Sequence, residues 1–85
     1  MPAMQQIDFT LRGEFIPLDS LLKATGAAPS GAIAKMMVAE GRVRVDGQDE
    51  LRKTAKIRAG QVVQFSAGAQ GLRIRVLAAT DPAAA

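Results

Sequence analysis

The segment Arg42-Val43-Arg44-Val45-Asp46-Gly47 leaves the backbone little choice. Its side chains alternate charged and apolar, the period of a strand with one buried and one solvated face. The alternation runs straight into Asp-Gly, a dipeptide favoured where a tight hairpin needs positive φ. Val43 and Val45 are expected to point into a core, and Arg42 and Arg44 away from it. The valine face needs an apolar cover, and the preceding residues provide one. Ser30 is a good N-cap, and Ile33, Ala34, Met37 and Val38 then form one stripe at helical spacing. Lys35 and Ala39 lie off that stripe, and Gly41 is a natural C-terminal stop.

The same periods place the other elements. Ile7, Phe9 and Leu11 alternate with Asp8, Thr10 and Arg12 as a half-buried strand ending at Gly13. Pro17 suits the first turn of a helix, where its missing N–H has no partner to lose. Leu18, Leu21, Leu22 and Thr25 share one face of that helix, with Asp19, Ser20 and Lys23 opposite and Gly26 as its stop. Beyond the hairpin, Leu51 is expected to return to the core. Ile57 and a turn at Ala59-Gly60 lead into a sheet segment over 61–65, and 68–71 is expected to be a hairpin loop. Leu72, Ile74 and Val76 alternate with Arg73 and Arg75 in a last strand. The order strand, helix, helix, then several strands predicts an α+β fold with two helices packed on a small, mostly antiparallel sheet. One domain over 1–78 is expected, followed by a disordered tail over 79–85.

At 85 residues the chain has room for one small core. It contains no cysteine and no histidine, which removes disulfides, thiolate metal sites and the commonest general base. No apolar run approaches the roughly 18 residues of a membrane span, and the N-terminus lacks the order of a secretory signal. A cytoplasmic protein without membrane contact is expected. The net charge of +3 is unevenly spread. Residues 35–58 carry Lys35, Arg42, Arg44, Arg52, Lys53, Lys56 and Arg58 against Glu40, Asp46, Asp49 and Glu50. That concentration favours a polyanionic partner.

The ordered set Leu18-Asp19-x-x-Leu22, Gly26, Ser30, Ala34-Lys35, Val38, Gly41-x-Val43-x-Val45-Asp46-Gly47, Lys56-Ile57 and Ala59-Gly60-Gln61-Val62-Val63 resembles the S-four RNA-binding domain. Ser30-Gly31, Glu40-Gly41 and Glu50-x-Arg52-Lys53 further resemble its small stand-alone bacterial members, the YbcJ-like group. Many larger members have arginine after the serine and asparagine before the hairpin glycine; this chain has Gly31 and Asp46 there. The resemblance implies two helices followed by a β-hairpin, with RNA lying over the second helix and the hairpin.

Lysine and arginine neutralise phosphates and release counterions, and a helix N-terminus adds free N–H groups. The candidate RNA-binding residues are therefore Ser30, Gly31, Lys35, Arg42, Arg44, Arg52, Lys53 and Lys56. Arg73 and Arg75 are read as solvent-facing. Phe9, Phe15 and Phe65 lie beside apolar positions and are expected in the core, which leaves base stacking poorly supplied. Backbone and shape reading of structured RNA, ribosomal or transfer RNA foremost and the ribosome itself included, is the expected mode, by a monomer. No cofactor and no catalysis are expected: the acidic residues form no evident pair, and no Gly-rich nucleotide loop is present. The alternative is a protein-binding or carrier module with a β-grasp-like sheet. Salt-sensitive retention on heparin or RNA resin would separate the two.

Overall fold

The computed structural model describes residues 3–67 and 70–79. In chain order the elements are β1 (Ala3–Leu11), β2 (Ile16–Pro17), α1 (Leu18–Ala24), α2 (Gly31–Ala39), β3 (Val43–Val45), β4 (Gln48–Asp49), β5 (Lys56–Ile57), β6 (Val62–Ala67) and β7 (Gln70–Ala78). The main sheet has the order β1-β7-β6-β3-β4, and β2 and β5 form a separate two-stranded ladder. All pairings are antiparallel except β1 with β7, which run parallel from Ala3 opposite Gln70 to Leu11 opposite Ala78. The fold is thus α+β with a mostly antiparallel sheet, as its periodicities predict.

Both helices cover one face of the sheet. Leu18, Leu21 and Leu22 of α1 and Ala34, Met37 and Val38 of α2 meet Val43, Val63, Ile74 and Val76 in a single buried cluster. The helix ends follow their sequence signals. Ser30 Oγ accepts a hydrogen bond from the Ile33 N–H at 3.2 Å. Gly26 and Gly41 sit at φ of 79° and 78°, the left-handed conformation that ends a helix without a Cβ penalty. Thr25 caps rather than packs: it follows the last residue of α1, and its hydroxyl donates to the Leu21 carbonyl at 2.9 Å.

Several expectations need correction. Pro17 is the N-cap of α1 and not its first residue, because it pairs with Lys56 in the short ladder. Leu51 does not return to the core; it is 61% exposed. The backbone there leaves the hairpin after the Glu50 N–H bonds the Val43 carbonyl, and residues 53–55 then bond α1. Val45 is only half-buried, beside the hairpin turn, whereas Val43 is fully enclosed. Phe9 and Phe65 pack on the core, but Phe15 is exposed. β7 already begins at Gln70, inside the loop expected over 68–71; positions 68–69, like the tail from 80 onward, lie outside the described residues.

The alternation of β3 predicts opposite results from adjacent substitutions. Val43→Ala should cost about 2 kcal/mol through reduced burial and a residual cavity, which lowers Tm by roughly 8–16 °C in a domain of this size. Arg44→Ala removes only a solvent-exposed side chain and its exposed ion pair, and should move Tm by about 2–4 °C at most. Thermal melts of the two variants check this. A large destabilisation by Arg44→Ala would place the hairpin in the other register.

Candidate nucleic-acid interface

The eight candidate residues fall into two groups in space. Gly31 and Lys35 are four apart and so lie on one side of α2, with Ser30 capping that end. Lys35 Nζ stands 4.0 Å from Asp19 Oδ2 on α1. The Asp19 N–H in turn donates to the Lys53 carbonyl at 3.0 Å. Lys53 belongs to the connection between the hairpin and β5, together with Arg52 and Lys56. Lys35 on α2, the start of α1 and the connection bearing Arg52, Lys53 and Lys56 are therefore neighbours, with Gly31 and the Ser30 cap about one helical turn back from Lys35.

Arg42 and Arg44 belong elsewhere. Arg42 follows the far end of α2, about 13 Å of helix from Ser30 at 1.5 Å per residue, and its guanidinium lies 3.7 Å from Glu40. Arg44 projects from the face of the sheet opposite the helices, since its neighbour Val43 is in the core. Register aligns it with Gln64, Arg73 and Gln6 across successive strands, and with Asp49 on its other side. Arg44 Nε donates to Asp49 Oδ1 at 3.0 Å. Arg73 lies in the same row, and with the Gln64 amide oxygen turned towards it donates to that oxygen from Nε at 3.2 Å and Nη2 at 3.1 Å. Sequence alternation distinguishes inside from outside on each strand, but not that the outside of β3 and the exposed side of α2 are different surfaces.

Ion pairing grades the cations. Arg52 grips both oxygens of Glu50, each at 3.1 Å, and donates its backbone N–H to the same carboxylate. These hydrogen bonds hold the Glu50 carboxyl below the usual glutamate range despite partial desolvation. Arg75 grips Asp8 from the neighbouring strand at 2.9 and 3.1 Å and depresses that carboxyl similarly. Lys53 forms no ion pair with another described residue. Lys56 has its ammonium 5.0 Å from the centre of the Phe15 ring. Beside them is a shallow depression lined by Arg52, Thr54, Ala55 and Lys56.

Two contributors escaped the sequence reading. Asp19, read as the polar side of α1 and as part of the family motif but not as a site residue, faces Lys35 with its carboxylate and bonds the Lys53 carbonyl with its backbone N–H. Phe15, read as core, is 39% exposed beside Lys56. The available signal for Phe15 was its place after Gly13-Glu14, inside neither the alternation of β1 nor the stripe of α1. Among the described residues no three His, Cys, Asp or Glu side chains are grouped to hold a metal ion, and no helix is long and apolar enough to cross a membrane.

The chain is thus an α+β unit of two helices and a hairpin, with Lys35 midway along the second helix near a cation-bearing connection after the hairpin. Residues 9–75 match the family model described as "S4 domain", and the chain belongs to that family. It is 53% identical over 51 residues to the Escherichia coli (strain K12) protein named "Putative RNA-binding protein YbcJ", a match covering 60% of this chain and 73% of that relative. YbcJ of Shigella flexneri is similar to the same extent. The solution structure of YbcJ from E. coli, described as revealing an alfaL motif involved in RNA-binding, superposes with a TM-score of 0.55 at 37% identity, over 88% of this chain and 89% of that one.

The Arg52–Glu50 pair has a pH signature. A carboxyl held below its ordinary range in the fold contributes its stabilisation at neutral pH and loses it as pH falls through the folded value. In an NMR titration Glu50 should show a midpoint below the usual glutamate range, and Arg52→Ala should return it to that range. An unchanged midpoint in the variant would mean that Arg52 does not hold the carboxylate in solution.

Proposed function

We propose that this chain binds structured RNA through backbone phosphates, with no catalytic step of its own. The observation that carries this reading is the contact of Lys35 with Asp19, whose N–H bonds the connection bearing Arg52, Lys53 and Lys56, in a domain of the S4 family. Four cations there stand against Asp19 and Glu50. The free N–H groups and positive dipole end of α2 add to them. The description of E. coli YbcJ as RNA-binding supports the same reading.

Lys53 and Lys56 meet a phosphate first, because neither must leave a carboxylate. Arg42 and Arg44 act as flanking contacts for RNA that extends past the end of α2 towards the hairpin. Phosphate contacts fix position and carry no base code, so the target is recognised as a folded shape. Ribosomal RNA, within the ribosome, and transfer RNA are the proposed targets, reached by a monomer in the cytoplasm.

The test is RNA titration across a salt series. Lys35→Glu with Lys53→Glu should weaken binding to a structured RNA at least tenfold. For each phosphate that is no longer neutralised, the log–log salt slope should fall by about 1. Arg44→Glu should cost less than Lys53→Glu, as it removes a flanking cation already shared with Asp49. Both lysines are exposed, so the melts should hardly change. Parent-like binding by the double variant would overturn the proposed surface.

A further inference from the structure

We infer that Phe15 and Lys56 form a seat for one unpaired nucleotide of the bound RNA. This inference rests on the RNA-binding reading and extends it from phosphate contact to a base. Phe9 and Phe65 pack on the core, whereas Phe15 keeps 39% of its surface in solvent. Its position is not that of a loose loop: the next two residues, Ile16 and Pro17, are laddered to Ile57 and Lys56. That ladder brings the Phe15 backbone next to Lys56, whose ammonium lies 5.0 Å from the centre of the ring.

The surroundings select the ligand. Lys56, over the ring, also lines the depression formed with Arg52, Thr54 and Ala55, and Lys53 next to it links this place to the Lys35 side. A nucleotide offers a π-face and an anionic phosphate within one residue, matching a ring under the Lys56 ammonium with Arg52 and Lys53 on the same connection. A peptide aromatic would use the ring and leave the cations unsatisfied. Base–aromatic stacking is stronger than an exposed cation–π contact. An incoming base can therefore replace the ammonium at the ring and leave Lys56 to its phosphate. Bases inside a helix are already stacked on their neighbours, so only a bulged, looped or terminal base reaches Phe15.

The experiment uses the whole chain and two RNA hairpins of equal length, one fully paired and one carrying a single bulged 2-aminopurine. The protein has no Trp and no Tyr, so the probe's fluorescence is read cleanly. The parent should quench the bulged probe and bind it about tenfold or more tightly than the paired hairpin. Phe15→Leu should lose the quenching and the preference while keeping its affinity for the paired hairpin, and Phe15→Trp should retain both. Parent-like quenching by Phe15→Leu overturns the seat. If that variant is destabilised, loss of quenching by a folded Phe15→Trp overturns it instead. Equal, salt-sensitive binding of both hairpins by the parent sinks the seat but leaves RNA binding standing. No binding of either hairpin sinks both, and points to a protein partner for the exposed ring.

Discussion

The first turn of α1 governs where the chain carries its candidate site. A helix start leaves backbone N–H groups without intrahelical partners, and α1 has no side-chain cap. Pro17 removes one donor by having no N–H. The Leu18 and Asp19 N–H groups donate instead to the carbonyls of Ala55 and Lys53, at 2.9 and 3.0 Å. The segment that satisfies the helix is the same one that bears Arg52, Lys53 and Lys56. Its backbone is held by α1 before any ligand arrives, and Phe15 is carried along because Ile16 and Pro17 extend the same set of contacts. A surface ordered in advance loses less conformational freedom on binding.

The hairpin has a comparable anchor. Asp46 and Gly47 take φ of 52° and 84°, the positive values that a two-residue turn demands of both central positions. Asp46 also ties the turn to the next strand: its N–H donates to the Val62 carbonyl at 2.8 Å, and its carboxylate accepts the Val62 N–H at 2.9 Å. That clamp fixes β3 against β6 and hence the row in which Arg44, Gln64 and Arg73 follow one another. An acceptor is what the Val62 N–H needs at this position. The carboxylate of Asp46 supplies it where many larger relatives are expected to have asparagine.

What could be read from the sequence is what local periodicity and turn chemistry encode. The Val43–Gly47 hairpin, the Ser30 cap and the glycine stops all depend on residues a few positions apart. So does the apolar stripe of α2. The β2–β5 ladder is two residues per strand, too short for any period, and joins positions about forty apart. The parallel β1–β7 pairing depends on closing nearly the whole chain. Leu51 misled because one apolar residue in an otherwise polar stretch looks inward, although the backbone bonds to Val43 and α1 turn it out. For the site, residue types and the charged middle third were legible. Their division between two surfaces was not, because it follows from how α2 and the hairpin are docked.

That division gives the charge pattern a different meaning from its total. On the outer sheet face, Arg44 and Arg75 each face an aspartate and Arg73 faces the Gln64 amide, so two of these three arginines are already paired with a carboxylate. Around the start of α1 the cations outnumber the carboxylates, and Lys53 has no carboxylate of its own among the described residues. The Lys35–Asp19 pair is long, at 4.0 Å, and its lysine is half in solvent although Asp19 is largely covered, so Lys35 can turn to a phosphate at small cost. The twofold hydrogen-bonded Arg52–Glu50 pair is the harder one to open, and it orients Arg52 at the rim of the depression. A net charge of only +3 therefore understates the local excess of cations on the connection. The carboxylates pair most of the cations on the sheet face and fewer of those on the connection, and the hydrogen-bonding needs of α1 decide where that connection lies.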